Sequence, residues 1–145
     1  MNASGPDSLV MLVIEDNPAD VVFFREALNA TALPAALQVV TNGEDALRFL
    51  RRQPPFADVP RPDVVVMDLN LPLKNGREVL QEMRAEPALR TIPVAILSTS
   101  NSESDLRNAA TGDHCLYFVK TAEFQQLQDI VRRIAAHAGA TRANQ

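Results

Sequence analysis

Five short apolar segments alternate with longer segments of helical spacing, and this alternation constrains the fold more than any other feature of the sequence. Proline, glycine or polar residues bound the apolar segments. Three of the five consist almost wholly of Val, Ile, Leu and Met, which is typical of parallel strands buried on both faces. The predicted strands are Leu9–Ile14, Leu37–Val40, Asp63–Leu69, Pro93–Ser98 and Cys115–Val119.

The segments that follow the strands carry apolar residues at the three- and four-residue spacing of amphipathic helices. Asn17 before Pro18 is typical of a helix N-cap followed by proline at the first helical position. Gly139 is typical of a residue that ends a helix. The predicted helices are Pro18–Ala30, Gly43–Arg52, Gly76–Ala85, Ser102–Thr111 and Glu123–His137.

This order of elements predicts an α/β fold with right-handed crossovers. We expect a doubly wound (βα)5 three-layer sandwich with a five-stranded parallel sheet, of the flavodoxin-like type. One domain is predicted over residues 9–138, with flexible ends at 1–8 and 139–145. The proline-rich segment 53–62 predicts a stiff, extended connection before the third strand.

The composition disfavours several classes of protein. The chain has 145 residues, of which 46% are hydrophobic, and this is enough for one buried core. A formal net charge of −4 disfavours direct binding to nucleic acid. Because Cys115 is the single cysteine and there are only two histidines, we expect neither an intramolecular disulfide nor a structural zinc site. The first apolar run is too short to span a bilayer and lacks the flanking basic region of a signal peptide, which predicts a cytoplasmic protein without membrane contact.

Acidic, hydroxyl and basic side chains stand where the predicted strands end. Glu15 and Asp16 follow the first strand, Asp68 lies at the end of the third, Ser98 at the end of the fourth, and Lys120 just after the fifth. In an open parallel sheet these carboxyl ends share one edge, where ligands bind. The pattern therefore predicts a site at that edge.

The chemistry of this set favours phosphoryl transfer. Asp68 lies in an apolar run, and a buried carboxylate is costly unless something compensates its charge. Crowded carboxylates favour a hard divalent cation with oxygen ligands, either Mg²⁺ or Mn²⁺, and Lys120 would assist it. An ionised aspartate is also a competent oxygen nucleophile, so the set suits transfer through an aspartyl phosphate.

From about residue 9 to residue 137 the chain closely resembles the receiver domain of two-component response regulators. The resemblance is carried by EDNP at 15–18, DLNLP at 68–72, Asn-Gly at 75–76, Ser98, and Tyr117 three residues before Lys120. Two positions depart from the usual pattern. Thr121 stands where a proline is usual, and the residue before Gly76 is asparagine rather than aspartate.

The resemblance implies a role for each residue of the site. Asp68 would be the phosphoacceptor, and Lys120 would contact the phosphoryl group. Asp16, Asp68 and the backbone carbonyl of Asn70 would hold Mg²⁺, with Glu15 contributing through a water molecule.

The resemblance also implies a switch, in which Ser98 moves toward the phosphate and Tyr117 changes rotamer. The phosphodonor would be a phosphohistidine on a sensor histidine kinase. The segments DLNLP and GREVL, Lys-Thr at 120–121 and the proline-rich connector are most similar to the single-domain regulators that partner bacterial and cyanobacterial phytochromes.

Two protein contacts are hypotheses at this point. The four apolar residues 21–24 exceed one helical stripe, which indicates either a wide core face or a docking surface for kinase helices. A homodimer is expected across the fourth predicted helix, the fifth strand and the fifth predicted helix. The apolar residues offered for that face are Leu116, Phe118, Phe124, Leu127 and Ile130.

Three other functions remain as alternatives to the receiver. One is a pseudo-receiver that binds partners without phosphorylation. A second is a Mg²⁺-dependent phosphatase of the haloacid-dehalogenase type, but Asp68-x-Asn70 follows the third strand and lacks the second acid that such an enzyme needs. A third is a flavodoxin-like nucleotide binder, but no glycine-rich loop follows the first strand. We therefore expect a signalling protein rather than an enzyme.

Overall fold

The structure is a computed structural model that describes residues 8–99 and 115–143. The fourth predicted helix and residues 1–7 lie outside these residues, so the last helix is labelled α4 although it corresponds to the fifth predicted one. The described strands are β1 (Leu9–Ile14), β2 (Ala35–Val40), β3 (Val64–Met67), β4 (Val94–Ser98) and β5 (Cys115–Val119). The described helices are α1 (Pro18–Ala30), α2 (Gly43–Leu50), α3 (Gly76–Ala85) and α4 (Phe124–Ala143).

All five strands run parallel in one sheet of order β2-β1-β3-β4-β5. The chain winds from β1 outward to β2, crosses back to β3, and continues to β4 and β5. This order places the carboxyl ends of β1 and β3 side by side at the point where the winding reverses direction, where ligands bind in such folds. The predicted doubly wound α/β sandwich is confirmed.

Helices cover both faces of the sheet. On one face, α1 and α4 pack on strand residues such as Met11 and Val66, and on the other face α2 and α3 pack on residues such as Leu12 and Met67. These four strand side chains are at most 2% exposed. Alternate residues of one strand thus serve two separate cores, which explains why β1 and β3 read as continuous apolar runs.

Asparagine side chains begin three of the helices. Asn17 accepts a hydrogen bond from the backbone N–H of Ala19 with Pro18 at the first helical position, as predicted. Asn75 and Glu78 form a reciprocal capping box at the start of α3. The asparagine that replaces the usual aspartate at position 75 is therefore a helix cap, and it fixes where α3 begins beside β3.

The end of α4 differs from the prediction. The sequence pattern predicts a stop at Gly139, whereas the helix continues to Ala143. One glycine inside a helix costs only about 1 kcal/mol, and alanines on both sides of it favour the helix. The fully buried Ala138 also holds this turn against the core. The predicted stop is therefore wrong, and part of the segment predicted as a tail is helical.

The proline-rich connector also differs from the prediction. Instead of an extended segment it forms a series of turns, in which the N–H of Phe56 donates to the carbonyl of Gln53. Phe56 and Val59 pack against the core on the α2 and α3 face, and the rings of Phe56 and Phe49 lie 5.5 Å apart. The apolar residues between the prolines fold the connector onto the domain, because their burial is favourable.

The apolar residues offered for a dimer face are only partly accessible. Phe118 and Leu127 are buried in the core on the α1 and α4 face, so their assignment to a dimer surface is wrong. Among the five, Phe124 is the exposed one, at 36%. Alternation along β5 and the helical stripe of α4 direct the others inward.

The four apolar residues of α1 divide between the core and the surface. Phe24 is buried, and Phe23 is half-buried with its ring 5.8 Å from that of Phe124. Val22 is 49% exposed.

In the described part of the chain, no helix combines the length and apolarity needed to cross a membrane.

Candidate functional site

The described part of the chain has three buried polar or charged side chains, and all three lie at the carboxyl ends of strands. They are Glu15 after β1, Asp68 after β3 and Ser98 at the end of β4, with exposures of 7%, 8% and 0%. A buried polar group is stable only with hydrogen-bond partners, so each of these residues requires neighbours that satisfy it. Their partners define the site.

The Lys120 ammonium stands at the centre of the site. Its Nζ lies 2.8 Å from Oε1 of Glu15, 2.9 Å from Oδ2 of Asp20 and 2.8 Å from Oδ2 of Asp68. Burial opposes the charged form of Lys120, but hydrogen bonds to the three carboxylates outweigh it and raise its pKa above the usual range. Lys120 is therefore a permanent cation held by three anions.

The Asp68 carboxylate is held by donors on both sides. Its Oδ2 faces Lys120, and its Oδ1 accepts hydrogen bonds from the backbone N–H of Asn70 at 3.0 Å and from the hydroxyl of Ser98 at 3.2 Å. The N–H of Lys120 also donates to the Ser98 carbonyl, which joins the end of β4 to the loop after β5. Two strand ends and one loop thus converge on one carboxylate.

A glycine makes room for the backbone that carries Asp68. A Cβ at Gly76 would lie 2.5 Å from the carbonyl oxygen of Asp68 and 2.8 Å from Cα of Leu69. Both are backbone atoms that cannot swing away as a flexible side chain would. The N–H of Gly76 donates to the Leu69 carbonyl at 3.0 Å, so the start of α3 is attached directly to the loop of the phosphoacceptor candidate.

Glu15 is a buried carboxylate with a shifted pKa. Burial raises its pKa, while the hydrogen bonds from Lys120 and from the backbone N–H of Asn17, at 3.1 Å, act in the opposite direction. Burial is the larger effect, so the pKa of Glu15 stays above its usual value.

The remaining predicted site residues lie at the margin of this cluster. Asp16 and Asn70 are exposed, and within the described ranges the carboxylate of Asp16 forms no ion pair. Tyr117 is half-buried on β5 and packs against the α2 and α3 face. It pairs with Ile96, which lies two residues before Ser98, so Tyr117 and Ser98 lie on the same face of adjacent strands.

Thr121, which replaces the usual proline, has a local role. Its hydroxyl accepts from the backbone N–H of Glu123 at 3.0 Å and donates to Oε1 of Gln126 at 2.7 Å. These bonds support the first turn of α4. The peptide bond between Lys120 and Thr121 is trans, since the cis bond recorded for the described residues is Pro54-Pro55.

Asp20 is the site residue that the sequence reading missed. It lies in the first turn of α1, and its carboxylate bonds Lys120 from a position 100 residues away in the chain. The available signal was its place in the first turn of the predicted helix 18–30, just beyond the strand end that carries Glu15 and Asp16. A carboxylate in a first helical turn is common, and this explains why the signal was weak.

The donor set fits a hard divalent cation. Three carboxylates face one ammonium around Lys120, which leaves two negative charges uncompensated. Carboxylate oxygens are the ligands that Mg²⁺ and Mn²⁺ prefer. In this structure the acids converge on the ammonium, and within the described residues no three acidic, histidine or cysteine groups form a preassembled metal cluster. The charge and the donor atoms support metal binding at the outer, exposed side of the cluster.

A cleft of about 610 Å³ opens onto these groups. Asp68, Lys120 and Asp20 line its polar end, and side chains of α1 and α4, such as Phe23 and Leu127, line its apolar end. The cleft therefore brings Asp68 and Lys120 to an open space at the edge of the sheet.

Comparison with known proteins adds independent information. A sequence model of the response regulator receiver domain matches residues 11–132. Response regulator Rcp1 of Synechocystis sp. is 35% identical over 125 residues, which are 86% of this chain and 85% of Rcp1. The residues matched by the family model run from within β1 into α4 and include the carboxylates that converge on Lys120.

Solved structures agree with the sequence comparison. The phosphorylated cyanobacterial phytochrome response regulator RcpA is similar with a TM-score of 0.79 and 39% identity, over 88% of this chain and 91% of RcpA. The Mn²⁺-bound form of Rcp1 is similar with a TM-score of 0.78 and 35% identity, over 88% of this chain and 92% of that one.

The resemblance to receivers of two-component systems is thus confirmed, and it covers the site as well as the sheet. Both solved neighbours span the same five-stranded fold, and the matched residues run from β1 into α4. Since the family match covers most of the chain and all of its strand-end acids, the chain belongs to the response regulator receiver domain family and is related to the phytochrome response regulators.

Proposed function

We propose that this chain accepts a phosphoryl group on Asp68 from a sensor histidine kinase and signals through phosphorylation-dependent protein contacts. The observation that carries the proposal is the buried Asp68 carboxylate, held between the Lys120 ammonium at 2.8 Å and the Ser98 hydroxyl at 3.2 Å at the open edge of the sheet. Family membership supports the same conclusion.

The transfer step follows from these contacts. An oxygen of Asp68 attacks the phosphorus of a phosphohistidine, an O–P bond forms, and the P–N bond to the donor breaks. The electron pair of the broken bond stays on the imidazole of the donor. Lys120 stands where it can bond an equatorial oxygen of the phosphoryl group, so its positive charge offsets negative charge that develops in the transition state.

The metal site is proposed on the residues that the resemblance implies. Asp16, Asp68 and the backbone carbonyl of Asn70 would hold Mg²⁺ or Mn²⁺, and Glu15 would contribute through water. When bound, the cation supplies charge neutralisation to the phosphoryl oxygens. The two uncompensated negative charges around Lys120 support this assignment, and so does the Mn²⁺-bound state of the related Rcp1.

The switch is proposed on Ser98 and Tyr117. Phosphorylation removes the negative charge from the Asp68 carboxyl group and places it on the phosphoryl oxygens, so the charged acceptor for the Ser98 hydroxyl moves outward. Movement of Ser98 would change the space beside Tyr117 on the adjacent strand. This shifts an equilibrium between two surface arrangements and so alters the affinity for a partner.

The phosphodonor is proposed to be a phytochrome kinase, because the related RcpA is a phytochrome response regulator. The test compares two radiolabelled kinases, a bacterial phytochrome and a sensor kinase of another class, at equal phosphohistidine concentration. We expect the phytochrome to transfer label to this chain at least about tenfold faster. Equal rates from both kinases would contradict the phytochrome assignment but not the receiver chemistry.

The kinase is proposed to dock along α1. Val22 is 49% exposed and Phe23 borders the cleft that leads to Asp68, so an apolar helix of the kinase would bury both. In that kinase assay, Val22→Ser is expected to slow transfer while leaving labelling by a small phosphodonor unchanged. An unchanged rate of kinase transfer would exclude this surface.

A homodimer is proposed through the β5 edge of the sheet. Val119 on β5 is 46% exposed and Phe124 at the start of α4 is 36% exposed, which leaves apolar surface on this side. The test is light scattering with and without beryllofluoride, a mimic of the phosphoryl group. The parent is expected to give the mass of a dimer, and Val119→Lys is expected to give a lower mass. A monomer mass of the parent under both conditions would refute the dimer.

The central experiment is phosphorylation by acetyl phosphate in Mg²⁺, read by intact mass. The parent is expected to gain a single adduct of about 80 Da that does not form when Mg²⁺ is left out, and Asp68→Asn should gain none. Asp129→Asn removes an exposed carboxylate of α4 and should be labelled like the parent. A parent that binds Mg²⁺ but takes label neither from acetyl phosphate nor from a phosphorylated kinase would overturn the proposal in favour of the pseudo-receiver, whereas label from a kinase alone would show a strict dependence on the kinase. Rapid turnover of acetyl phosphate to inorganic phosphate would instead favour the phosphatase.

A further inference from the structure

We propose that Asp20 is a positioning residue for phosphoryl transfer, one that holds an N–H of Lys120 in the resting state and releases it to the incoming phosphoryl group. This inference rests on the proposed function of Asp68. It assigns a task to a carboxylate that lies outside the predicted catalytic and metal-binding set.

The first step is the geometry of α1. Asn17 caps this helix and Pro18 occupies its first position, so the backbone of Asp20 is fixed in the first turn, where its N–H donates to the Asn17 carbonyl. A carboxylate is favourable at this positive end of a helix. From there Oδ2 of Asp20 reaches Nζ of Lys120 at 2.9 Å and joins α1 to the loop after β5.

The second step is the bonding capacity of Lys120. An ammonium has three N–H donors, and here Nζ lies within 2.9 Å of three carboxylate oxygens, one each from Glu15, Asp20 and Asp68. Every donor is therefore in use before a phosphoryl group arrives. Lys120 can donate to a phosphoryl oxygen only if one of its three hydrogen bonds to the carboxylates breaks.

The third step concerns which carboxylate gives up its hydrogen bond to Lys120 at the lowest cost in free energy. The side chains of Glu15 and Asp68 are each 9% exposed, whereas that of Asp20 is 42% exposed. A carboxylate that reaches water replaces the lost bond by hydration, and a buried one does not. Of the two carboxylates that do not react, Asp20 is thus the acceptor that Lys120 exchanges for a phosphoryl oxygen of the incoming donor, before the new O–P bond forms on Asp68.

This exchange has a measurable consequence. In Asp20→Asn the side chain keeps its size but loses its charge, so Lys120 is held less strongly and an anionic donor meets one fewer negative charge. The concentration of acetyl phosphate that gives the half-maximal rate should fall by about three- to tenfold. The rate at saturating donor should change by less than about twofold, because the reacting atoms on Asp68 are untouched.

The experiment measures phosphorylation rates over a range of acetyl phosphate concentrations, together with calorimetric affinity for beryllofluoride in Mg²⁺. The chains are the parent, Asp20→Asn, Asp20→Glu and the control Glu123→Gln, which removes an exposed carboxylate three residues after Lys120. We expect tighter binding of donor and mimic in Asp20→Asn alone. Asp20→Glu restores the charge and should behave like the parent.

The outcomes separate this inference from the function on which it rests. If the parent is labelled on Asp68 but Asp20→Asn keeps the donor dependence of the parent, the role of Asp20 is refuted and the receiver function stands. An equal shift in Glu123→Gln would also refute it, since the effect would then be general electrostatics. If the parent takes label neither from acetyl phosphate nor from a phosphorylated kinase, the proposed function fails and the inference fails with it.

Discussion

The hydroxyl of Ser98 lies 3.2 Å from Oδ1 of Asp68 and links the ends of β4 and β3 inside the protein. Ser98 has no exposed surface, and Asp68 retains 8%. A hydrogen bond to a buried carboxylate stabilises the fold more than one between neutral groups. The same contact therefore serves stability in the resting state and is the one that the proposed switch would change.

Replacing Ser98 by alanine should lower the free energy of unfolding by about 1.5–3 kcal/mol, because a charged acceptor loses a buried donor. Urea denaturation of a double-mutant cycle measures the effect of this contact. In the Asp68→Asn background, Ser98→Ala should cost clearly less, since the acceptor is then neutral. Equal costs in the two backgrounds would mean that the loss comes from packing rather than from the bond.

Replacing Gly76 by alanine should destabilise the protein by about 1–3 kcal/mol and slow labelling of Asp68. The new Cβ would meet the Asp68 carbonyl oxygen at 2.5 Å, so the loop after β3 must shift. Gly139→Ala is the matched control, because nothing lies within 4 Å of the added Cβ. That change should instead stabilise α4 by about 0.5–1 kcal/mol. Equal melting temperatures for the two variants would contradict the crowding at Gly76.

The thiol of Cys115 should resist modification in the folded chain. Burial raises the pKa of this thiol, so at pH 8 it is protonated, and its position on β5 denies access to reagents. Reaction with Ellman's reagent should be at least about a hundredfold slower in buffer than in concentrated urea. The reaction in urea is the control, because it shows that the thiol reacts once the chain is unfolded. Fast reaction of the native protein would contradict the prediction and show that β5 opens readily.

The ion pairs of Glu82 on α3 with Lys74 and Arg51 should give an acid-dependent contribution to stability. Glu82 bonds Lys74 and Arg51, and these hydrogen bonds lower the pKa of its carboxyl below the usual value of 4.5. The unfolded chain therefore binds a proton more readily than the folded one. The contribution is present above pH 4.5 and is lost as the pH falls below it toward the lower folded-state pKa.

The test compares the free energy of unfolding of the parent and of Glu82→Gln over a range of pH. At pH 7 the variant should be less stable by up to about 1 kcal/mol, since the pair is a third exposed and partly screened by solvent. The difference should shrink as the pH falls below about 4.5. Glu123→Gln, which removes an exposed carboxylate away from this cluster, should show no such trend. A constant difference at all pH values would point to lost packing instead of lost charge.

Much of the fold was predictable because it depends on local periodicity. The bounds of β1, β5, α1 and α3 agree with the apolar patterns and with the asparagine caps, which act through neighbouring backbone groups. The edge of the sheet was predictable for a related reason. Once strands are parallel, the residues after them must meet, so Asp68, Ser98 and Lys120 could be placed together before any contact was known.

Other features depend on contacts between distant segments, and no local pattern encodes those. The bond from Lys120 to Asp20 exists because α1 and α4 pack on the same face of the sheet, which brings the first turn of α1 within reach of the loop after β5. Packing likewise buries Phe118 and draws Phe56 onto the core. A sequence shows which side chains are apolar or charged along one element, whereas the depth of burial and the partner of each charge are set by which elements come to lie against one another.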